Sequence, residues 1–437
     1  MGREEKYKAF VENDLTKNKG QLVNACAELE ILINNPVVNS VMNKHYLNAA
    51  LSYATTFSDY YKRYKGFNDI TDFPIVDKQF LKDHYDQILV REYELNEGTI
   101  EKYTSGSTGT PFKMTMDQYK HSRWIAANKV FRSNVGVKSH EKTLFVSETV
   151  QDKKIPMERM EKDNVYYVSC KFLDDKSVAR LIEKLERENF RTMTALASVW
   201  DRIAHMVKKG GVPEWKGNFI AVFSVSEPLK ETTRQIIEEY FRCPIYVLYA
   251  NEENGVLGVE DGSQFGCRAN EADFFFEVLS MESNNPAQEG EIGRLVITDL
   301  FNRAFPMIRY ENGDLVAVNR NAEGKLYFSK IAGRKADTLY TTDGRPVHYF
   351  EGISFLEPYM DIKQFQLIQY DYDKFKWVLN TNNHEYEEMI VCESKKLFGV
   401  NARFTFEYVD EIPKLQSGKM RMTVCKIPDK MNASEHL

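Results

Sequence analysis

The chain has 437 residues, 43% of them apolar and 28% charged, with a formal net charge of −6. That length exceeds one compact core and suits two or three domains, each with enough apolar residues to bury an interior. Charges of both signs are spread along the chain, which argues against a surface that coats nucleic acid, and no apolar run approaches the length that crosses a bilayer.

Residues 1–65 alternate charged and apolar positions at helical spacing and predict helices, within a helical N-terminal segment reaching about residue 95. The opening MGREEKYKAF has no apolar signal core and lacks the Ser or Thr of a myristoylation signal. Cys26, Cys170, Cys243, Cys267, Cys392 and Cys425 form no CxxC pair, so a cytoplasmic protein with reduced thiols is expected. In that compartment the Asn432-Ala-Ser sequon carries no weight. TDFPIVDK (71–78) breaks the pattern at Pro74 and leads into another helix.

TSGSTGTPFKM (104–114) interleaves hydroxyls with glycines. It is not a Walker loop, because Pro111 stands where the second glycine is required. It can still hold phosphate: Gly106 and Gly109 let backbone N–H groups turn toward one anion, and Thr104, Ser105, Ser107 and Thr108 add hydroxyl donors. Taken alone, it reads as a solvent loop.

From about residue 140 the text changes. KTLFVS, NVYYVS and FIAVFSVS predict strands, separated by the helical SVARLIEKLERENF and LKETTRQIIEEYF, which suggests βαβ units and a largely parallel sheet. Between about 272 and 335, DFFFEVLS, EIGRLVITDL, GDLVAVN and KLYFSKIAG predict antiparallel strands. The chain then restarts as a small α+β unit, QFQLIQYDYDKFKWVLNT, EMIVCESKKLFG and ARFTFEYVD, ending in a polar tail. A boundary near 333–337 divides residues 1–333 from residues 334–437.

Six short motifs follow in fixed order, each at a strand end or loop: the glycine loop, FSVSEPLK (223–230), VLYANEENG (247–255), PMIRYENGD (306–314), IAGRKAD (331–337) and IPKLQSGKMR (412–421). Each has an ordinary reading as a turn, helix start or loop. In this order the chain resembles the adenylate-forming superfamily of acyl-CoA synthetases and carboxylate ligases, and most nearly its phenylacetate–CoA ligase branch with the CapK-like relatives. The similarity runs from about Pro74 to Arg421, and Asp117, Trp124 and Arg132 after the glycine loop support the branch.

The resemblance implies an α/β fold: a large multi-sheet N-terminal domain joined by a hinge to a small α+β C-terminal domain. It implies ATP and Mg²⁺ as cofactors and an acyl-adenylate made from a small-molecule carboxylic acid. It gives Thr104, Ser105, Gly106, Ser107, Thr108 and Gly109 to the β- and γ-phosphates, and Ser226, Glu227 and Pro228 to the adenine. Tyr249 would pack on that base, although an ordinary core tyrosine reads the same. Asp314 would accept the ribose hydroxyls, Arg334 would lie near ribose and phosphates, and Glu253 would bind magnesium. Lys419 would swing over the site to bridge carboxylate and α-phosphate, with Glu253 and Arg334 as further catalytic groups.

The departures are specific. Phe112 separates Pro111 from Lys113, so a phosphate contact and a solvent-facing lysine stand level for Lys113. Ala250 replaces a glycine. Glu252 replaces a threonine and either helps hold magnesium, reads a polar group on the acyl substrate, or is a solvated helix-start acid. Ala336, followed by Asp337, stands where a hinge Asp or Lys is common. TTDGRPVHYFEG (341–352) departs from the segment of the CoA ligases, so CoA, an amine, a hydroxyl or a carrier protein all remain open as acyl acceptor. Self-association into a homodimer also stays open, as does a catalytically silent nucleotide-binding protein on the same fold. Arg309 reads as structural, Ser198 as either a helix start or an acyl-pocket residue, and His384 in HEYEE as a surface residue without a zinc partner.

Overall fold

Three helices open the chain, α1 (Arg3–Lys17), α2 (Gln21–Asn34) and α3 (Pro36–Phe57). Their junctions are written in local chemistry. Buried Asp14 accepts the N–H groups of Leu22 and Val23 at 3.0 and 2.9 Å, satisfying two orphan donors at the start of α2. Asn35 caps α3 and Pro36 opens it. The structure, a computed structural model, describes residues 1–93, 98–104, 112–147, 155–170, 175–347, 354–356, 359, 361–413 and 421–427.

Short helices α4 (Lys78–Asp83) and α5 (Tyr85–Ile88) follow, with Asp77 capping the first. An antiparallel ribbon, β1 (Ile100–Thr104) and β2 (Phe112–Met116), holds the two ends of the glycine loop, Thr104 opposite Phe112. Asp117 then caps the long helix α6 (Gln118–Asn134).

Next come β3 (Thr143–Ser147), α7 (Met157–Asp163), β4 (Val165–Ser169), α8 (Asp175–Arg187), β5 (Thr192–Leu196), α9 (Ala197–Lys208), β6 (Ala221–Val225), α10 (Glu231–Phe241) and β7 (Ile245–Asn251). An antiparallel series completes the large domain: β8 (Gly255–Glu260), β9 (Cys267–Ala269), β10 (Phe274–Leu279), β11 (Gly293–Asp299), β12 (Tyr310–Arg320) and β13 (Leu326–Arg334). The two series share one sheet of 11 strands, in the order β10-β11-β12-β13-β9-β8-β7-β6-β5-β3-β4. Strands β3 to β7 pair in parallel, and the pairing turns antiparallel at β7–β8.

The predicted strands and helices of this region are all present. Strand β5 has no counterpart in the sequence reading. Its sequence, TMTAL, mixes threonines with Met193 and Ala195, and both faces are covered, so it lacks a half-exposed alternation. One core packs Leu144, Met193 and Val222 against α8, α9 and α10; the opposite face packs Ala221, Phe223 and Leu248 against α2 and α6.

The separate small C-terminal domain contains β14 (Leu339–Tyr340), β15 (Pro346–Val347), β16 (Gln364–Asp371), β17 (Lys374–Asn380), α11 (Glu387–Phe398), β18 (Arg403–Tyr408) and β19 (Thr423–Cys425). Its four-stranded sheet has the order β18-β17-β16-β19, centred on fully buried Trp377. Most of YFEGISF and all of the polar tail from residue 428 lie outside the described residues. Among those described, no helix is long and apolar enough to cross a membrane.

Candidate active site

The turn between β7 and β8 carries Glu252, Glu253 and Asn254, so Glu252 does not start a helix, contrary to one of its sequence readings. Asn251 Oδ1 fixes the turn by accepting the Asn254 N–H at 2.7 Å. Gly255 has a φ of +100°, and a Cβ there would lie 3.0 Å from the Trp124 ring. The turn therefore sits directly on α6.

Within it, Glu253 is buried, and its Oε1 lies 3.1 Å from Lys78 Nζ and 3.5 Å from the Tyr310 hydroxyl, which donates to it. Lys78 arrives there because Val76 is stitched alongside Tyr310. The Val76 N–H donates to the Arg309 carbonyl at 3.0 Å, and the Val76 carbonyl accepts the Glu311 N–H at 2.8 Å. The sequence reading missed Lys78; the capping Asp77 is the local signal that places it at a helix start. Glu252 is exposed, its Oε2 3.9 Å from Lys102 Nζ.

Asp314 lies near the start of β12, its carboxylate almost buried. Its Oδ2 accepts the Tyr249 hydroxyl at 2.6 Å and Asn312 Nδ2 at 2.8 Å, while Arg334 Nε stands 3.3 Å from Oδ1. Register explains this meeting, because Asp314 on β12 pairs with Arg334 on β13. Burial, with the Asp314 carboxylate beside it, pushes the Tyr249 phenol well above its ordinary range, so it stays a donor. The same environment holds Tyr310 protonated, by burial and then by Glu253. Glu253, Tyr310, Asp314, Arg334 and Tyr249 thus form one neighbourhood. Arg309, with a φ of +50°, is structural as expected: it forks onto Glu277 at 2.9 and 3.1 Å and donates to the Phe73 carbonyl.

The ribbon strands on either side of the glycine loop come to the same place. Phe112, where β2 begins, lies under the Lys78 ammonium at 5.7 Å, and Lys102 on β1 sits over the Trp124 ring at 3.9 Å. Ser105, Gly106, Ser107, Thr108 and Gly109 lie outside the described residues, and Thr104 is described by its backbone alone. Lys113 is half-exposed and paired with Glu101 at 2.5 Å.

At the end of β6, Ser226 adopts a φ of +70°, and the Glu227 N–H closes a three-residue turn on the Val225 carbonyl at 2.9 Å. This turn adjoins Tyr249, because Val225 pairs with Leu248. The Glu227 carboxylate accepts the Ser198 N–H at 2.9 Å and so caps α9. Its side chain is thereby committed to the fold. Ser198 is an exposed helix-start residue.

Lys419 lies outside the described residues, but its neighbour Arg421 is anchored: it forks onto Asp337 at 2.9 and 2.6 Å. Thr423 Oγ1 donates to the Asp337 carbonyl at 2.6 Å. Asp337 follows Arg334 by three residues, at most about 10 Å of extended chain. The attachment point of the Lys419 segment is thus close to the strand end that carries Arg334.

A hard divalent cation takes oxygen ligands, keeps several waters and uses one or two carboxylates together with phosphates. Glu253 offers one such carboxylate, its Oε1 engaged by Lys78 and Tyr310. Among the described residues no group of three or more His, Cys, Asp or Glu could hold a metal by itself. A cation at Glu253 would accordingly depend on a bound polyphosphate for its remaining ligands.

The fold is similar to that of several solved CoA ligases. Over 91% of this chain and 92% of the other, the structure superposes on 2-hydroxyisobutyryl-CoA ligase, in its postadenylation state with an acyl-AMP, with a TM-score of 0.70 at 14% identity. Benzoate CoA ligase from Burkholderia xenovorans LB400 matches with a TM-score of 0.52 at 13% identity, covering 71% of this chain and 66% of that one. In sequence, residues 339–426 match the CapK C-terminal domain, and the chain is similar to Protein CapK of Staphylococcus aureus, 27% identical over 376 residues, 82% of this chain and 81% of that protein.

Proposed function

We propose that this protein is an ATP-dependent ligase that activates a small carboxylic acid as its acyl-adenylate and then passes the acyl group to an acceptor. The observation that carries this reading is the convergence of Asp314, Tyr249, Arg334 and Glu253 beside the roots of the hydroxyl-rich loop. In the first step a substrate carboxylate oxygen attacks the α-phosphorus of ATP. The bond from that phosphorus to the bridging oxygen breaks, and pyrophosphate leaves.

The residues supply positioning and charge rather than covalent chemistry. Asp314 offers an oxygen pair to the ribose hydroxyls, and the backbone of Ser226–Pro228 faces the base beside Tyr249. Residues 104–109 donate to the β- and γ-phosphates. A magnesium ion at Glu253 would neutralise polyphosphate charge. Lys419 approaches from the C-terminal domain to stabilise the carboxylate and α-phosphate as they react. Residues 333–337 act as the pivot between residues 1–333 and 334–437, letting that domain close and then turn for the second step. The use of ATP favours a cytoplasmic setting.

The solved relatives named above are CoA ligases, which favours CoA as acceptor. The divergence of residues 341–352 keeps an amine, hydroxyl or carrier protein in contention. A silent nucleotide-binding protein is disfavoured because Glu253, Asp314 and Lys419 are all retained. Carboxylate-dependent ATP–pyrophosphate exchange across an acid panel tests the proposal. Stimulation by particular acids is expected; silence with every acid, while ATP still binds, would establish the silent reading. Repeating the productive reaction with and without CoA identifies the acceptor.

A further inference from the structure

Strands β11 and β12 lose register where the site begins. Arg294 pairs with Leu315 and Val296 with Glu311, so Asn312, Gly313 and Asp314 span the stretch opposite Leu295 alone. The excess is a β-bulge, a device that bends a strand and re-aims a side chain. Its chemistry is local. Gly313 takes a φ of +81°, which glycine adopts without steric cost. Asn312 Oδ1 accepts the Asp314 N–H at 3.0 Å and closes an Asx turn across it.

The same asparagine has a second hold on Asp314. Its Nδ2 donates to Asp314 Oδ2 at 2.8 Å, and the Tyr249 hydroxyl donates to that oxygen at 2.6 Å. Asn312 Nδ2 also lies 3.5 Å from the Tyr249 hydroxyl oxygen, so the three groups form a closed triangle. Tyr249 reaches it from β7, where its ring meets the Phe328 ring edge-on at 5.4 Å. Asn312 is 7% and Asp314 9% exposed, so these bonds are made with little competition from water. Arg334, itself half-exposed, stands beside the other carboxylate oxygen, Oδ1, at 3.3 Å.

An aspartate that reads a sugar needs a fixed carboxylate plane. The last torsion of an aspartate is broad, and a free carboxylate would be ordered only when the nucleotide arrives, at a cost to binding. Two donors on Oδ2 remove that rotation in advance and set the direction in which the carboxylate meets the sugar.

Resting on the ligase reading above, we infer that Asn312 and Tyr249 are positioning residues that clamp the Asp314 carboxylate for the ribose, and that preference for a ribonucleotide over a deoxyribonucleotide depends on them. Both act through Asp314 rather than on the sugar. The Tyr249 hydroxyl thereby has a task separate from any packing of its ring on the base.

The test compares ATP with 2′-deoxyATP and 3′-deoxyATP by calorimetric titration of wild type, Tyr249→Phe, Asn312→Leu and Asp314→Ala. Tyr249→Phe keeps the ring and removes only the donor; Asn312→Leu keeps the volume and removes both amide contacts. Wild type is expected to favour ATP over the deoxy analogues, and each clamp variant to reduce that preference by about 10-fold, the scale of one hydrogen bond to a charged group. Asp314→Ala should erase the preference, and adding Tyr249→Phe to it should change nothing further, as expected of residues that act through one another. Thermal melting reports folding, and a ratio of dissociation constants within one variant is insensitive to loss of active protein. Equal weakening of all three nucleotides in the clamp variants, or equal binding of all three by wild type, would overturn the clamp and leave the ligase reading standing. Pyrophosphate exchange on the same samples separates the two claims. A ribose preference that the variants lose, with every acid silent in exchange, would overturn the ligase reading and keep the clamp; absence of ATP binding by wild type would overturn both.

Discussion

Against the antiparallel half of the large sheet, four well-covered cations on α6 and the sheet meet carboxylates. Lys120 lies 2.6 Å from Asp299, Arg123 lies 2.6 Å from Asp273, Arg294 lies 2.6 Å from Glu311, and Arg309 lies 2.9 Å from Glu277. On the parallel half, Arg132 has an aromatic ring, an amide and a hydroxyl but no described acid. The first arrangement fixes strand ends and loops in place. The second is held by a ring face and two neutral oxygens in place of an acid.

If that contrast is right, the largest effect comes from breaking a closed pair. Lys120→Ala would strand fully buried Asp299, whose carboxyl burial already pushes upward, and should cost about 3–5 kcal/mol in denaturant unfolding. Arg320→Ala, at the half-exposed pair with Glu271, should cost no more than about 1 kcal/mol. Equal losses would dissolve the distinction between buried and peripheral pairs.

Lys419→Ala sharpens the separation between a fixed binding network and an incoming charge. It should keep ATP affinity and lower pyrophosphate exchange by about 10²–10³-fold, roughly 3–4 kcal/mol of barrier. Exchange equal to wild type would remove Lys419 from the chemistry.

A smaller, pH-dependent effect belongs to buried His140, at a φ of +66° beside Phe10. Burial, and then Lys129, Lys6 and Arg3, hold its pKa down to about 3. The unfolded chain therefore binds the proton first, and this residue's share of stability falls as the pH drops from about 6.5 toward 3. His140→Asn, which tolerates the same backbone, should show a shallower fall in melting temperature between pH 7 and 5. An unchanged slope would refute it. The smallest effect is expected at Lys113: paired with Glu101 at the ribbon edge, its change to Ala should alter the KM for ATP by no more than about twofold. A larger change would restore the phosphate contact.

Much of the site was legible because its motifs are local. ENGD picks out Asp314 and NEEN picks out Glu253, although ENGD, which alone reads as a turn, lies within strand β12. The β7–β8 turn shows the limit. The sequence around Glu252 allows a helix start, and only the antiparallel return of β8 makes it a hairpin. Strand β5 went unread because its five residues run straight into α9, and its cover on both faces appears only in the folded sheet.

The residue order by itself determined the α/β class, the succession of strands and helices, the small terminal domain and the chemical types at each strand end, because these rest on periodicity and on short-range turn and cap chemistry. Tertiary structure decided which of those side chains meet. It brought Lys78 to Glu253 by laying Val76 beside Tyr310, committed Glu227 to the start of α9, and set Arg132 over Phe223 without an acid. Pairing between elements far apart in the chain is fixed by sheet register and shared burial, quantities that no single stretch of sequence contains.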